Sequence, residues 1–505
     1  MRIGILPLPT MKYLASDPTV KANLRFIHAL NQIRDDCYYY LVLSKAGLLD
    51  GLEVPKNTHI LRLDEQDGDG RIMYDMHCSL PIDFAKHFNM RFGEFPVDIW
   101  TTGRGTVSPV LKRELWDYRL IESVPVVLSE SMVVTPPKTM NKKDQKYACA
   151  FMARTVPVAT YYEDMLLRST AYATCHTLFP TELPKKEALE TAKMFFTAKT
   201  LKMMQEKMRV QTKGIDFDYI DKSIPYGMPK NKKFTCFYGG RLNEAHGADR
   251  MIDLYDELYR SGKDIQIILT TPKHDTTFLE NEIIRKGRRK GKDSYNPTRH
   301  IDFYPGCKPD EFYAKAAGSH VFLEMARQAG FGGGILEQLY MAKYGLVPVL
   351  PKVPWALELV PDDYIFLFRN EDEARSMLRY IYENHDEAVR KSKYVSDYVY
   401  ENFSTKVNLP KYFDILEEIF TDFGPVYQRL FSHGNVKLME EILDVMKPPF
   451  TLDDFFNLLI KTSRDHKFKP IRGKVSKYIA YRWLIEQAGL IDTCDTPIPT
   501  FDRKR

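Results

Sequence analysis

The sequence predicts an α/β protein: two doubly wound, Rossmann-like domains facing a cleft, then a small helical, winged-helix-like module. Three observations carry that reading. Short apolar runs alternate with stretches of helical spacing, and the alternation comes in two series. In the second series a glycine-rich turn stands between an apolar run and a helix. After about residue 423 the pattern changes to helices and a short ribbon. The expected domains are therefore 1–225, 226–423 and 424–505.

In the first series, Ile3–Leu8 reads as a buried strand and Val20–Arg34 as a helix, with Leu24, Ile27, Leu30 and Ile33 on one face. Tyr38–Leu43, Val97–Trp100 and Val124–Leu128 read as further strands, with a helix over Ser108–Leu115. In the second series, Phe234–Tyr238, Ile265–Leu269, His300–Tyr304, Val321–Leu323 and Val347–Leu350 read as strands. Met251–Tyr259 reads as a helix, and residues 373–420 read as helices that close this part. In the last segment, Thr451 is positioned to cap a helix over Leu452–Ile460, with Asp454 three residues on. Ser476 is the expected cap of a second helix, stopped by Gly489.

Composition narrows the class. A hydrophobic fraction of 44% excludes a disordered chain. Lys and Arg number 72 against 67 Asp and Glu, so the net charge is only +5. No run approaches the ~18–20 apolar residues of a membrane helix, and the apolar start of the chain is too short for a signal peptide. A cytoplasmic chain with no integral membrane association is expected. Seven scattered cysteines, never spaced Cys-x-x-Cys, read as reduced thiols and not as a metal site. Asp67-Gly68-Asp69 reads as a polar turn, and no metal is expected.

Two motifs carry chemistry. Ala329-Gly330-Phe331-Gly332-Gly333-Gly334 opens a helix that continues through Glu337. Such a turn presents backbone N–H groups at the positive end of a helix, a site for a phosphate or a sugar hydroxyl, and Glu337 can accept hydrogen bonds from a ribose diol. Tyr238-Gly239-Gly240-Arg241-Leu242 ends a strand, and an Arg there can grip a diphosphate; His246 follows five residues later. Ile224-Pro225-Tyr226-Gly227 reads as an inter-domain turn.

In this order, the motifs resemble the retaining nucleotide-sugar glycosyltransferases of the GT-B fold. That family has a strand ending in Gly-Arg-Leu, a Lys-Gly pair, an Ile-Pro-Asn-Gly turn, and a Glu-Gly-Phe-Gly followed by a second Glu. Here they correspond to Gly240-Arg241-Leu242, His246-Gly247, Ile224-Pro225-Tyr226-Gly227, Gly330-Phe331-Gly332 and Glu337. Tyr304-Pro305-Gly306-Cys307-Lys308 looks like the family's base-binding strand end, and Gly345–Val349 with Glu358-Leu359-Val360 match its closing elements. The resemblance covers about 1–420. It implies transfer of a hexose or pentose from a nucleoside diphosphate, uridine by default, with retention of configuration and no required metal or other cofactor. Arg241 and His246 would stabilise the leaving diphosphate, and Gly240, Cys307, Phe331, Gly332, Gly333 and Glu337 would hold the donor. The family's first Glu is Ala329 here, so the sugar is not readable; the family's Lys is His246. Glu130, at the end of the Val124–Leu128 strand, is the acceptor-side candidate, and His176 is a second, weaker one.

The acceptor reading comes from the last segment. It holds 14 basic and 10 acidic residues, most of the chain's net charge. Lys469, Arg472, Lys474, Lys477, Tyr481 and Arg482 would line a nucleic-acid surface, with Ile479, Trp483 and Leu484 turned inward. A second basic run spans 285–292. A glycosyltransferase with such a module resembles the bacteriophage enzymes that glycosylate hydroxylated or hydroxymethylated pyrimidines in DNA, where the base would be extruded for reaction. Duplex DNA is then the expected partner. The alternatives are a glycosyltransferase for a glycolipid, polysaccharide or protein acceptor, and a non-catalytic DNA-binding protein that keeps a degenerate fold.

Overall fold

The computed structural model describes residues 1–6, 18–43, 53–62, 97–102, 126–129, 175–240, 242, 247–271, 300–326, 333–423, 433–465, 474–486 and 488–503, with a few residues between 166 and 173. The expected helix at Ser108–Leu115, the Asp67–Asp69 turn and the basic run 285–292 lie outside them.

Strands β1 (Arg2–Leu6), β2 (Tyr38–Leu43), β3 (Thr58–Arg62), β4 (Ile99–Thr102), β5 (Val126–Ser129), β6 (His176–Phe179) and β7 (Met208–Val210) form one parallel sheet in the order β3-β2-β1-β4-β5-β6-β7. Strands β8 (Phe234–Gly239), β9 (Ile265–Thr271), β10 (Ile301–Pro305), β11 (Val321–Leu323), β12 (Val347–Pro351) and β13 (Leu367–Phe368) form a second, in the order β10-β9-β8-β11-β12-β13. In each sheet the strand order reverses once, between β1 and β4 and between β8 and β11. In doubly wound sheets ligands bind at the carboxyl ends of the strands flanking such a reversal.

A parallel sheet is buried on both faces, and alternate residues show which cover lies where. Tyr39 and Leu41 of β2 join Ile3, Ile5 and Ile99 in a core closed by the helix Pro18–Asn31 and by Leu409, Tyr412, Phe413 and Leu416 of the helix Thr405–Phe423. That last helix follows the second sheet in sequence yet packs on the first. On the opposite face, Tyr38, Tyr40, Val42 and Trp100 share a core with Leu438, Ile442, Phe455, Leu459, Trp483, Leu484 and Phe501. The end of the chain is therefore the second cover of the first sheet.

That final segment contains the helices His433–Val445, Leu452–Asp465 and Lys474–Glu486 and a three-stranded antiparallel sheet, β14 (Phe450–Thr451), β15 (Leu490–Asp492) and β16 (Thr500–Arg503), in the order β14-β16-β15. The expected capping box forms: the Thr451 hydroxyl accepts from the Asp454 N–H at 3.1 Å, and the Asp454 carboxylate accepts from the Thr451 N–H at 3.0 Å. Ser476 does not cap; the helix already begins at Lys474.

Buried charge ties this segment to β1. The Arg2 guanidinium, fully buried, donates to both Asp492 oxygens at 2.5 and 2.8 Å, to the Tyr40 hydroxyl at 2.7 Å and to the Thr496 carbonyl at 2.9 Å. The Arg2 N–H donates to Asp98, whose other oxygen accepts from Arg482 at 3.0 Å. Two expectations are corrected here. Tyr481 is only 1% exposed and donates to Asp492 at 3.1 Å, so it faces the junction and not a nucleic acid. Arg482 is held by Asp98 and Glu486 and lies over the Phe420 ring at 4.3 Å. Helical spacing marked one inward face on this helix, but it is covered on two sides, by its own module and by the first sheet.

Between the two sheets, the Glu358 carboxylate accepts from the Leu183 N–H at 2.7 Å, at the start of the helix Glu182–Ala192. Asp221, in the connecting helix Phe217–Ser223, accepts from the Tyr340 hydroxyl at 2.9 Å and from Lys343 and the Tyr344 hydroxyl at 2.6 Å.

Candidate donor-binding site

At the β8/β11 reversal the two strands part. They pair only at Val321 with Cys236 and Phe322 with Phe237. One step further, the Tyr255 hydroxyl stands between them, donating to the Phe237 carbonyl at 3.1 Å and accepting from the Leu323 N–H at 2.9 Å. Beyond it β11 turns away toward β12, where the Glu324 N–H donates to the Val349 carbonyl at 3.0 Å. The gap so opened lies at the carboxyl ends of both strands, where a ligand of this fold would sit.

Gly240 and the helix that carries Glu337 lie beside it. Gly239 ends β8, and its backbone is bonded by the side chain of Gln338 in the helix Gly333–Tyr340. A Cβ at Gly239 would come within 2.4 Å of the Phe312 ring, so only glycine fits there. Gly240 donates to the Thr270 carbonyl at 3.2 Å. The strand end that leads to Arg241 is thus anchored beside the first turn of the helix that begins at Gly333. On the neighbouring strands, the hydroxyl of Thr271, 4% exposed, has no hydrogen-bond partner among the described residues. Gly306 holds a left-handed φ of +70° as the chain leaves β10, and the next residue, Cys307, is partly buried. Burial pushes the Cys307 thiol up, with Glu311 beside it adding to the shift.

Glu337 lies in the same helix and is partly buried. The Tyr313 hydroxyl donates to its carboxylate at 3.1 Å. Burial pushes the Glu337 carboxyl up, while Arg25 and the Tyr313 hydroxyl pull against it. Arg25 comes from the helix Pro18–Asn31 of the first sheet and lies over the Tyr219 ring at 4.1 Å. Burial opposes its charge, yet Tyr313 and Glu337 beside it hold its pKa above the ordinary value. The expected ribose acceptor therefore stands where the two halves of the molecule meet.

Arg241, His246, Glu130, Lys469, Arg472 and residues 327–332, with Phe331 and Gly332 among them, lie outside the described residues, as do the side chains of Lys474 and Lys477. His176 is the first residue of β6. Sequence reasoning missed four residues: Arg25, Tyr313, Gln338 and Glu324. The last is 4% exposed at the end of β11, and its carboxylate accepts from the Ala326 N–H at 2.7 Å. Burial pushes Glu324 up to about 7, against the pull of the Ala326 and Met325 amides and of Arg250. An acid directly after a three-residue apolar strand carries no local signal of such burial.

The chain matches no family model and no curated protein. It is similar to several solved structures. Sucrose-phosphate synthase from Thermosynechococcus elongatus aligns at a TM-score of 0.60 with 10% identity, over 84% of this chain and 100% of that one. HepE from Anabaena, in complex with UDP-glucose, aligns at 0.54 with 12% identity, over 83% and 100%. The α,α-trehalose 6-phosphate synthase of Burkholderia multivorans aligns at 0.55 with 10% identity, over 84% and 99%. Together with the two parallel sheets, these likenesses establish the GT-B fold expected from the sequence.

Proposed function

We propose that this chain is a glycosyltransferase that takes a sugar from a nucleoside diphosphate, uridine diphosphate by default. The observation that carries the reading is the parting of β8 and β11. It brings a Gly-Gly strand end, a helix start and the half-buried Glu337 around one crevice in a GT-B frame. A UDP-glucose complex of the similarly folded HepE supports the choice of donor. In the proposed reaction the bond from the sugar's anomeric carbon to the diphosphate breaks, its electron pair going to the diphosphate. The acceptor hydroxyl bonds to that carbon and passes its proton to the departing diphosphate. Arg241, His246 and the helix N-terminus are assigned to the charge developing on the leaving group, in place of a metal ion. Glu337 is assigned to the ribose, and retention of configuration comes with the family resemblance.

The acceptor is proposed separately: a hydroxylated or hydroxymethylated pyrimidine in duplex DNA. With Tyr481 and Arg482 held in the junction, support for this acceptor rests on Lys469, Arg472, Lys474 and Lys477. Phosphate contacts by these residues would make binding fall steeply with salt. The test offers a panel of UDP-hexoses and UDP-pentoses with duplexes containing hydroxymethylcytosine, hydroxycytosine or hydroxymethyluracil, and reads digested nucleosides by mass spectrometry. One added sugar on one base is the expected result. Hydrolysis of a UDP-sugar with no base modified would keep the enzyme and overturn the acceptor. No binding or turnover of any nucleotide sugar would overturn the enzyme itself.

A further inference from the structure

In a parallel sheet, successive residues of a strand turn their N–H and C=O groups toward opposite neighbours. Gly240 bonds to β9, so Gly239 faces the β11 side, where β11 has already departed. A partly buried backbone amide left without partners there would be destabilising. Gln338, only 1% exposed, supplies both partners. Its amide oxygen accepts from the Gly239 N–H at 3.1 Å, and its amide nitrogen donates to the Gly239 carbonyl at 2.9 Å. The same nitrogen donates to the Gly334 carbonyl at 2.9 Å, in the first turn of its own helix. One side chain thus stands in for the missing strand and fixes the distance between the end of β8 and the helix start.

We infer that Gln338 is a positioning residue for the donor's diphosphate. It touches no part of the donor itself. It holds the segment leading into Arg241 in register with the helix N-terminus, so both meet the same diphosphate. The inference rests on the donor reading above. No other amide or hydroxyl in this crevice spans the two segments among the described residues: Tyr255 bridges β8 to β11 and Tyr313 serves Glu337.

The test compares the affinities of UDP and uridine, by titration calorimetry, for the full chain and for Gln338→Met. Methionine keeps the volume and removes the hydrogen bonds. UDP affinity is expected to fall about tenfold, with uridine affinity within about twofold, since only the diphosphate loses its alignment. A role confined to folding would lower the melting temperature and shift both ligands together. The near-isosteric Gln338→Glu gives the same comparison should Gln338→Met fail to fold; it keeps the acceptor for Gly239 N–H and loses both donated bonds. An unchanged ratio of UDP to uridine affinity in a folded variant overturns the inference and leaves the donor reading standing. Absence of UDP binding by the unaltered chain overturns the donor reading and the inference with it.

Discussion

The second sheet is covered by helices drawn from residues 217–403, the stretch that also holds its strands, whereas the first sheet shares one cover between its own helix Pro18–Asn31 and residues 405–423 and takes the other from 438–501. The sheets share a parallel, doubly wound arrangement with one reversal each. The difference lies in sequence distance, and with it in what a segment's removal means. A stretch that reads as an added module is here part of a core. Its Asp492 and Arg482 meet Arg2 of β1 and Asp98, the residue just before β4.

Removing residues 424–505 is the harshest way to break the comparison. Tyr38, Tyr40, Val42 and Trp100 would then face water and Arg2 would lose Asp492, so the expected outcome is insoluble or unfolded protein, read by soluble yield and circular dichroism. A soluble truncated chain with a native spectrum would make the tail an appendage after all. Next in size is Arg2→Met. It leaves Asp492 buried without its main counter-charge, and removing one partner of a buried pair costs roughly 3–5 kcal/mol, measurable by urea denaturation. Adding Asp492→Leu should recover much of that loss, because the stranded charge goes too.

The third prediction moves to the second sheet. The Glu324 pKa is raised to about 7 in the folded chain. A carboxyl raised by folding contributes stability that is full below its unfolded value, near 4.5, and lost as pH rises through about 7. The full chain should therefore lose roughly 3 kcal/mol between pH 5 and pH 8 through this group, and Glu324→Gln should flatten that part of the profile. A profile unchanged by the substitution would place the titration elsewhere. The smallest effect is Thr451→Ala, which removes the hydroxyl of the capping box for about 1 kcal/mol, seen as a small drop in melting temperature.

What the sequence made legible follows from the range of the signal. Val321–Leu323 has the expected bounds and β8 nearly so, because a buried parallel strand is a short apolar run and a glycine turn marks its end. The glycine turns likewise mark Gly240 and Glu337 as candidates. Strands β3, β6, β7 and β13 were missed: Met208–Val210 follows a helix directly, and β13 has two residues. The junction between Arg2 and Asp492 had no local signature, since the two lie 490 positions apart. Tyr481 looked exposed because periodicity marks one covered face, and nothing in that periodicity tells of a second.

The pairing of Arg2 with Asp492 also orders the protein's making. A ribosome delivers Arg2 490 positions before its counter-ion, while every strand of the second sheet has emerged by residue 368. The second sheet can close with its own helices during synthesis. The first must wait with Tyr38, Tyr40 and Trp100 uncovered until the helices between His433 and Glu486 arrive. The nascent chain thus carries an open aromatic face from the time Trp100 emerges until the residues of 438–501 that cover it do.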